Sequence, residues 1–145
     1  NNDGNSSNGE NIEKRSSSSS SSFIKTAMHL AAAGSHFAEC DDHRLAAEHF
    51  RSAADVWAGE GYLLQAAQLR SSAAQRFALA EDRKKETTMR THSAHCFARL
   101  ARALEKAGEG AGAAEANAEA ARQRQRAELA CLAHCHSQQR GGEGS

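Results

Sequence analysis

A thirteen-residue stretch of this chain returns twenty positions after its first appearance. Leu45-Ala46-Ala47-Glu48-His49-Phe50-Arg51-Ser52-Ala53-Ala54-Asp55-Val56-Trp57 is echoed by Gln65-Ala66-Ala67-Gln68-Leu69-Arg70-Ser71-Ser72-Ala73-Ala74-Gln75-Arg76-Phe77, with the Ala-Ala, Ser-Ala-Ala and aromatic places shared. Alanine pairs seven residues apart fall on one face of a helix. Such a face lets helix axes approach closely, and the aromatic fills the space at its end. With 31 Ala, no Pro, and Glu, Arg and Gln as polar filler, the chain reads as helix nearly throughout. The only β-branched residues besides Thr are Ile12, Ile24 and Val56, which argues against a β core. Leu, Ile, Val and Phe make just 18 of 145 residues, a disorder-like fraction, but 18 basic and 18 acidic residues cancel.

The periodicity predicts five helices, over residues 23–40, 43–58, 62–81, 85–107 and 111–134. In the first, Met28, Leu30, Ala33, Gly34 and Phe37 form one apolar stripe. Asp41 and Asp42 break it and can cap the next helix. Gly59 and Gly61 flank the second break, and Gly108-Glu109-Gly110 the last. The charged run 81–86 is either a turn or a solvated helix face. Between residues 111 and 128 the only apolar side chains are Ala, so the fifth helix is expected to be marginal alone. Short connections require antiparallel hairpins. The expected organisation is a disordered Ser/Asn-rich tail at 1–22, a helical-repeat domain at 23–136 and a flexible tail at 137–145. Phe37, Phe50, Trp57, Phe77, Phe97 and Leu104 are the expected core.

No 18-residue apolar run is present and no leader is visible, so a membrane span is not expected. The chain starts at Asn1 rather than Met, and a fragment of a longer protein is expected. The four cysteines, at 40, 96, 131 and 135, read as reduced cytoplasmic thiols in a leaderless helical chain.

Residues 27–60 resemble a tetratricopeptide repeat. Gly34, Phe37, Ala46, Phe50 and Ala53 occupy its small and aromatic places, while Leu30 replaces the first aromatic and Ala58 the closing proline. A poorer match begins 67 residues later, with Phe97, Leu100, Ala101, Leu104, Ala113 and Ala120 in place of Leu30, Ala33, Gly34, Phe37, Ala46 and Ala53, and Asn117 in place of Phe50. Divergence with long Ala-rich helices is similar to the SNAP-type offshoot of these repeats, a vesicle-fusion adaptor. The resemblance implies an all-α fold of antiparallel hairpins stacked as a right-handed array of about five helices. It also implies a non-catalytic protein–protein adaptor or scaffold, with a protein or peptide partner. The peptide groove would be lined by Met28, Ala31, Ser35, Ala38 and Glu39. The Lys, Asn and Arg with which some members grip a terminal carboxylate are absent at these places. About three units are needed to close such a stack. This chain offers about two and a half, so further repeats, a homo-oligomer or a partner is expected to complete it. Residues 38–50 also resemble the first turn of an MIT domain, a three-helix module that binds helices of membrane-remodelling filaments. Residues 85–106 would be its last helix, but 62–81 has no place in it.

No catalytic residue, cofactor or metal site is assigned. A zinc alternative would draw on Cys131, His134, Cys135 and His136 with His92, His95 or Cys96, though the spacing fits no established finger. Cys40 beside Asp41, Asp42 and His43 sits among acids, which disfavours a thiolate nucleophile. A neutral domain with one Trp and one Tyr gives little support to a nucleic-acid partner, and Arg83-Lys84-Lys85 reads as a solvated basic knot.

Overall fold

The computed structural model describes residues 22–143, which form five helices and no strand. The fold is all-α. Helix α1 covers residues 22–39, α2 His43–Gly59, α3 Leu63–Leu79, α4 Arg83–Lys106 and α5 Gly110–Glu143. Of the N-terminal tail expected at 1–22, residues 1–21 lie outside the described part and Ser22 is already helical. At the other end the expected tail at 137–145 is helical as far as residue 143. Helix α5 continues through residues 137–143, because Gln138, Gln139 and Arg140 are good helix formers and no proline intervenes.

The described helices are joined by one turn used four times. Its left-handed residue is Asp41 (φ 59°), Gly61 (φ 83°), Glu81 (φ 62°) and Gly108 (φ 81°). In each turn the following amide donates back to the carbonyl of a large apolar residue. Asp42 N–H reaches Phe37 O at 2.9 Å, Tyr62 reaches Trp57 at 3.0 Å, Asp82 reaches Phe77 at 2.9 Å and Glu109 reaches Leu104 at 2.9 Å. This is the Schellman arrangement, which satisfies carbonyls that a helix end would otherwise strand. Asp42 and Asp82 then cap the next helix, accepting from Leu45 N–H at 3.3 Å and Lys85 N–H at 3.1 Å. The charged run at 81–86 is therefore first a turn and then a capped helix start.

A non-glycine left-handed residue is strained, because its Cβ crowds the carbonyl oxygen. Gly61 meets that demand freely, and Glu81 does not. Glu81→Gly should raise the unfolding free energy by about 0.5–1 kcal/mol, the relieved strain outweighing the freer unfolded chain. Urea unfolding checks this, and a loss of stability would count against strain at Glu81.

The left-handed residues at 41, 61 and 81 set a helix-and-turn period of twenty, and α4 is seven residues longer than α3, about two turns. The pair α2–α3 therefore takes forty residues, from Asp41 to Glu81, and the pair α3–α4 takes 47, from Gly61 to Gly108, neither being the thirty-four of a tetratricopeptide unit. This shifts the expected register: Phe97 stands where Phe77 does relative to the caps at Asp82 and Tyr62, not where Leu30 does.

Successive helices run antiparallel. Arg76 meets His43 and Arg70 meets Asp55 between α2 and α3, while Ser93 meets Ala67 between α3 and α4. Alternate helices touch as well. Lys85 of α4 pairs with Glu48 of α2 at 3.1 Å, and Gln123 of α5 reaches Ser71 of α3 at 3.0 Å. The result is two layers, α1, α3 and α5 in one and α2 and α4 in the other. In α2 and α3 both members of each alanine pair (46/47, 53/54, 66/67, 73/74) are 0% exposed. Phe50, Phe77 and Phe97 are buried, while Phe37 and Trp57 are half-buried and pack against the core clusters. Leu104 is also half-buried, and Leu45 is exposed. A methyl at Gly34 would lie 2.8 Å from the Phe50 ring, so this contact between α1 and α2 requires a glycine. Helix α3 packs on both α2 and α4 as an integral layer member, so no three-helix module with an inserted α3 separates out.

Candidate functional site: a groove between α3 and α5

The scarcity of large side chains in α5 has a geometric result. Against α4 it places Ala113, Ala116, Ala120, Ala127 and Ala130, all buried. Where the larger Phe97, Leu100 and Leu104 of α4 meet only small residues, a hollow remains. This open groove of about 820 Å³ has those three side chains as its floor. Leu64, Gln68, Ser71 and Ser72 of α3 form one wall. The other is α5, with Gly112, Ala116 and Ala118 interspersed with Glu115, Glu119 and Arg122. At its end, Gly112 lies close enough to Leu104 that an added methyl would sit 3.3 Å from Leu104 Cδ1.

Beneath one wall lies a connected polar network. Arg90 Nη1 donates to Gln123 Oε1 at 3.1 Å and to Ser71 Oγ at 3.3 Å. Gln123 Nε2 donates to Ser71 Oγ at 3.0 Å and to Glu119 Oε1 at 3.1 Å. Arg122 donates twice to Glu119 Oε2 on the rim, and this bond holds the Glu119 carboxyl below its ordinary pKa against the opposing effect of partial burial. Glu86, at the end of the charged run read as a turn or a solvated face, is buried and takes two bonds from Arg83. Burial pulls the Arg90 pKa down, while the nearby Glu86 carboxylate opposes that fall. Arg90 Nε has no partner. The network ties α3, α4 and α5 together and fixes the spacing of the groove walls.

The residues expected to line a peptide groove all lie on α1. Met28, Ser35 and Glu39 are exposed, and Ala31 and Ala38 are half-buried. Ala38 packs against the core cluster of α2, α3 and Met89, so it serves packing. None of the five lines the groove just described. A forty-residue step nevertheless carries Met28 onto Gln68 and Ala31 onto Ser71, two residues of its α3 wall. The sequence alone did not single out the hollow between α3 and α5. The available signal was the contrast between Leu100 and Leu104 and the alanine-only stretch 111–128.

The histidines and cysteines are not brought together. Among the described residues no three His, Cys, Asp or Glu side chains are placed to hold one metal ion. The register explains this. Arg90 opposes Gln123, so His92 opposes a position near residue 121, and Cys131 lies about ten residues further along, roughly 15 Å at helical rise. Cys96 is buried and accepts from Arg70 Nη1 at 2.9 Å, whereas Cys40, Cys131 and Cys135 are exposed and unbridged. Partial burial, with Arg70 close by, holds the His92 pKa below its ordinary value. The basic knot is partly neutralised: Arg83 is bound to Glu86, and Lys85 to Glu48 while also lying over the Phe77 ring. No described helix is long and apolar enough to cross a membrane. No family model, curated protein or solved structure matches the chain.

Proposed function

We propose that this chain is a non-catalytic protein–protein adaptor of the helical-repeat kind, and that its groove between α3 and α5 takes a peptide segment of a protein partner. The observation that carries the reading is the groove itself: an apolar floor of Phe97, Leu100 and Leu104 between polar walls, open enough for an extended or helical segment. The small–aromatic packing, with Gly34 against Phe50, supports kinship with tetratricopeptide repeats, and the forty-residue pair departs from them. Unbridged cysteines fit a reducing, cytoplasmic setting.

Peptides selected from a random display library on the intact chain test the site. Leu64→Arg and Glu115→Arg change exposed positions on opposite walls, so helicity should be unchanged. Binding of the selected peptides should fall at least about tenfold in each variant. Binding by both variants as tight as that of the unsubstituted chain would place recognition elsewhere.

A further inference from the structure

One charge in the groove between α3 and α5 has no counterpart. Glu115, Glu119 and Arg122 are the charged residues of its lining. Arg122 is engaged by Glu119, which Gln123 also holds. Glu115 is exposed and makes no ion pair among the described residues. Its neighbours one turn away on α5 are Ala111, Gly112, Ala118 and Glu119, so no cation of its own helix faces it. It is the sixth residue of α5, and the helix dipole fades within the first turn. Across the groove Leu64 and Gln68 are uncharged, and the floor is apolar. The Gly112 end of the groove therefore sets an unpaired carboxylate beside apolar side chains.

The other end offers a donor. Ser71 Oγ accepts from Arg90 Nη1 at 3.3 Å and from Gln123 Nε2 at 3.0 Å, so both lone pairs of the hydroxyl are used. Its own hydrogen must go elsewhere. A helical serine often returns it to the carbonyl four residues back, as Ser72 does to Gln68 O at 3.1 Å. For Ser71 that carbonyl is Ala67 O. Besides its helical amide bond it already accepts from Ser93 Oγ at 2.8 Å, which fills its two lone pairs. Ser71 lines the groove and is half-buried, so the groove is the side on which its hydrogen can find an acceptor. The guanidinium of Arg90, 9% exposed, lies behind the hydroxyl and strengthens it as a donor. Ser71 meets Gln123, eight residues beyond Glu115 on α5, so donor and carboxylate stand about 12 Å apart along the groove.

We propose that the groove selects a peptide segment with apolar side chains over Phe97, Leu100 and Leu104, a Lys or Arg beside Glu115, and a carboxylate or amide oxygen at Ser71. Such an occupant rests on the groove being a peptide site; its charge and direction follow from the two ends. A basic side chain supplies the counter-charge that Glu115 lacks, and its aliphatic stem lies along the apolar floor. An acidic side chain in that place would face Glu115 with Glu119 one turn away, and is disfavoured. Because the two ends ask for different groups, the segment lies in one direction.

Peptides selected on the intact chain from a random display library test this. A basic residue should be enriched at a fixed distance from the apolar ones. Reversing it to Glu in a selected peptide should weaken binding at least about tenfold, and Glu115→Arg should recover most of that loss for the reversed peptide. Glu115 is exposed, so the variant should keep its helicity by circular dichroism. Ser71→Ala should weaken binding about twofold to tenfold, and should have no effect on a peptide whose acceptor residue is changed to Ala. Equal weakening of both peptides would overturn the contact at Ser71. Selected peptides without the basic enrichment, or charge changes whose effects simply add, would overturn this occupant; if Leu64→Arg still weakens those peptides, the groove itself stands as the site. Capture of no peptide by the intact chain would overturn the site and its occupant together.

Discussion

Phe77→Ala is expected to lower the unfolding free energy by about 3–5 kcal/mol. The ring is fully buried, the largest side chain among the described residues to be so. It belongs to a cluster drawn from three helices, with Ala46, Ala47 and Phe50 of α2, Ala73 and Ala74 of α3, and Met89 of α4. Its neighbours are mostly alanines, which have no side-chain length with which to refill a void. The loss should therefore lie toward the upper part of the range for aromatic truncation. The residue also occupies the position whose carbonyl closes the turn after α3, through the amide of Asp82. That bond uses the backbone and survives the substitution. Denaturant unfolding measures the change. A loss below about 1 kcal/mol would mean that the surrounding helices are not packed as described.

Gln123→Leu should cost about 2–4 kcal/mol. Gln123 is 1% exposed and gives Arg90 its shorter hydrogen bond, and Arg90 Nε already has no partner. Removing the amide leaves a buried guanidinium to the Ser71 hydroxyl alone, with Glu86 nearby but bonded to Arg83. A double-mutant cycle isolates the effect. With Arg90→Leu added, the stranded charge disappears, and the double variant should recover part of the lost stability. Strictly additive losses would show that Gln123 acts through packing instead. The groove provides a second readout, since this network spaces its walls.

What the sequence made legible divides along physical lines. The echo between residues 45–57 and 65–77 was visible because the alanine pairs repeat there letter for letter and an aromatic closes both stretches. Its extension to α1 and α4 was hidden by substitutions that keep size and change identity: Gly34 for the second alanine, Ser93 for the first. Gly61 and Gly108 announced their turns, whereas Asp41 and Glu81 adopt the same backbone without the residue that normally marks it. The resemblance to a thirty-four-residue unit then placed the second half of the chain in the wrong register. The burial of Glu86 and Arg90 was not visible because the groups that bind them lie on other turns and helices. The groove was hidden for a related reason. It is a space between helices, set by a mismatch in side-chain size that no single stretch displays.

The nearest-neighbour order of the helices also bears on how the chain reaches its structure. Because each helix meets only its next two neighbours, the described side-chain hydrogen bonds span at most the 52 residues between Ser71 and Gln123. Little loop entropy must be spent before a contact forms, so contact order is low and folding is fast for a chain of this length. Nucleation can begin at any adjacent pair of helices and spread outward, with stability adding up link by link. The central α3, held on both sides, is the last to open. The distal turns of α5, where Leu129 and Leu132 stand exposed, fray first.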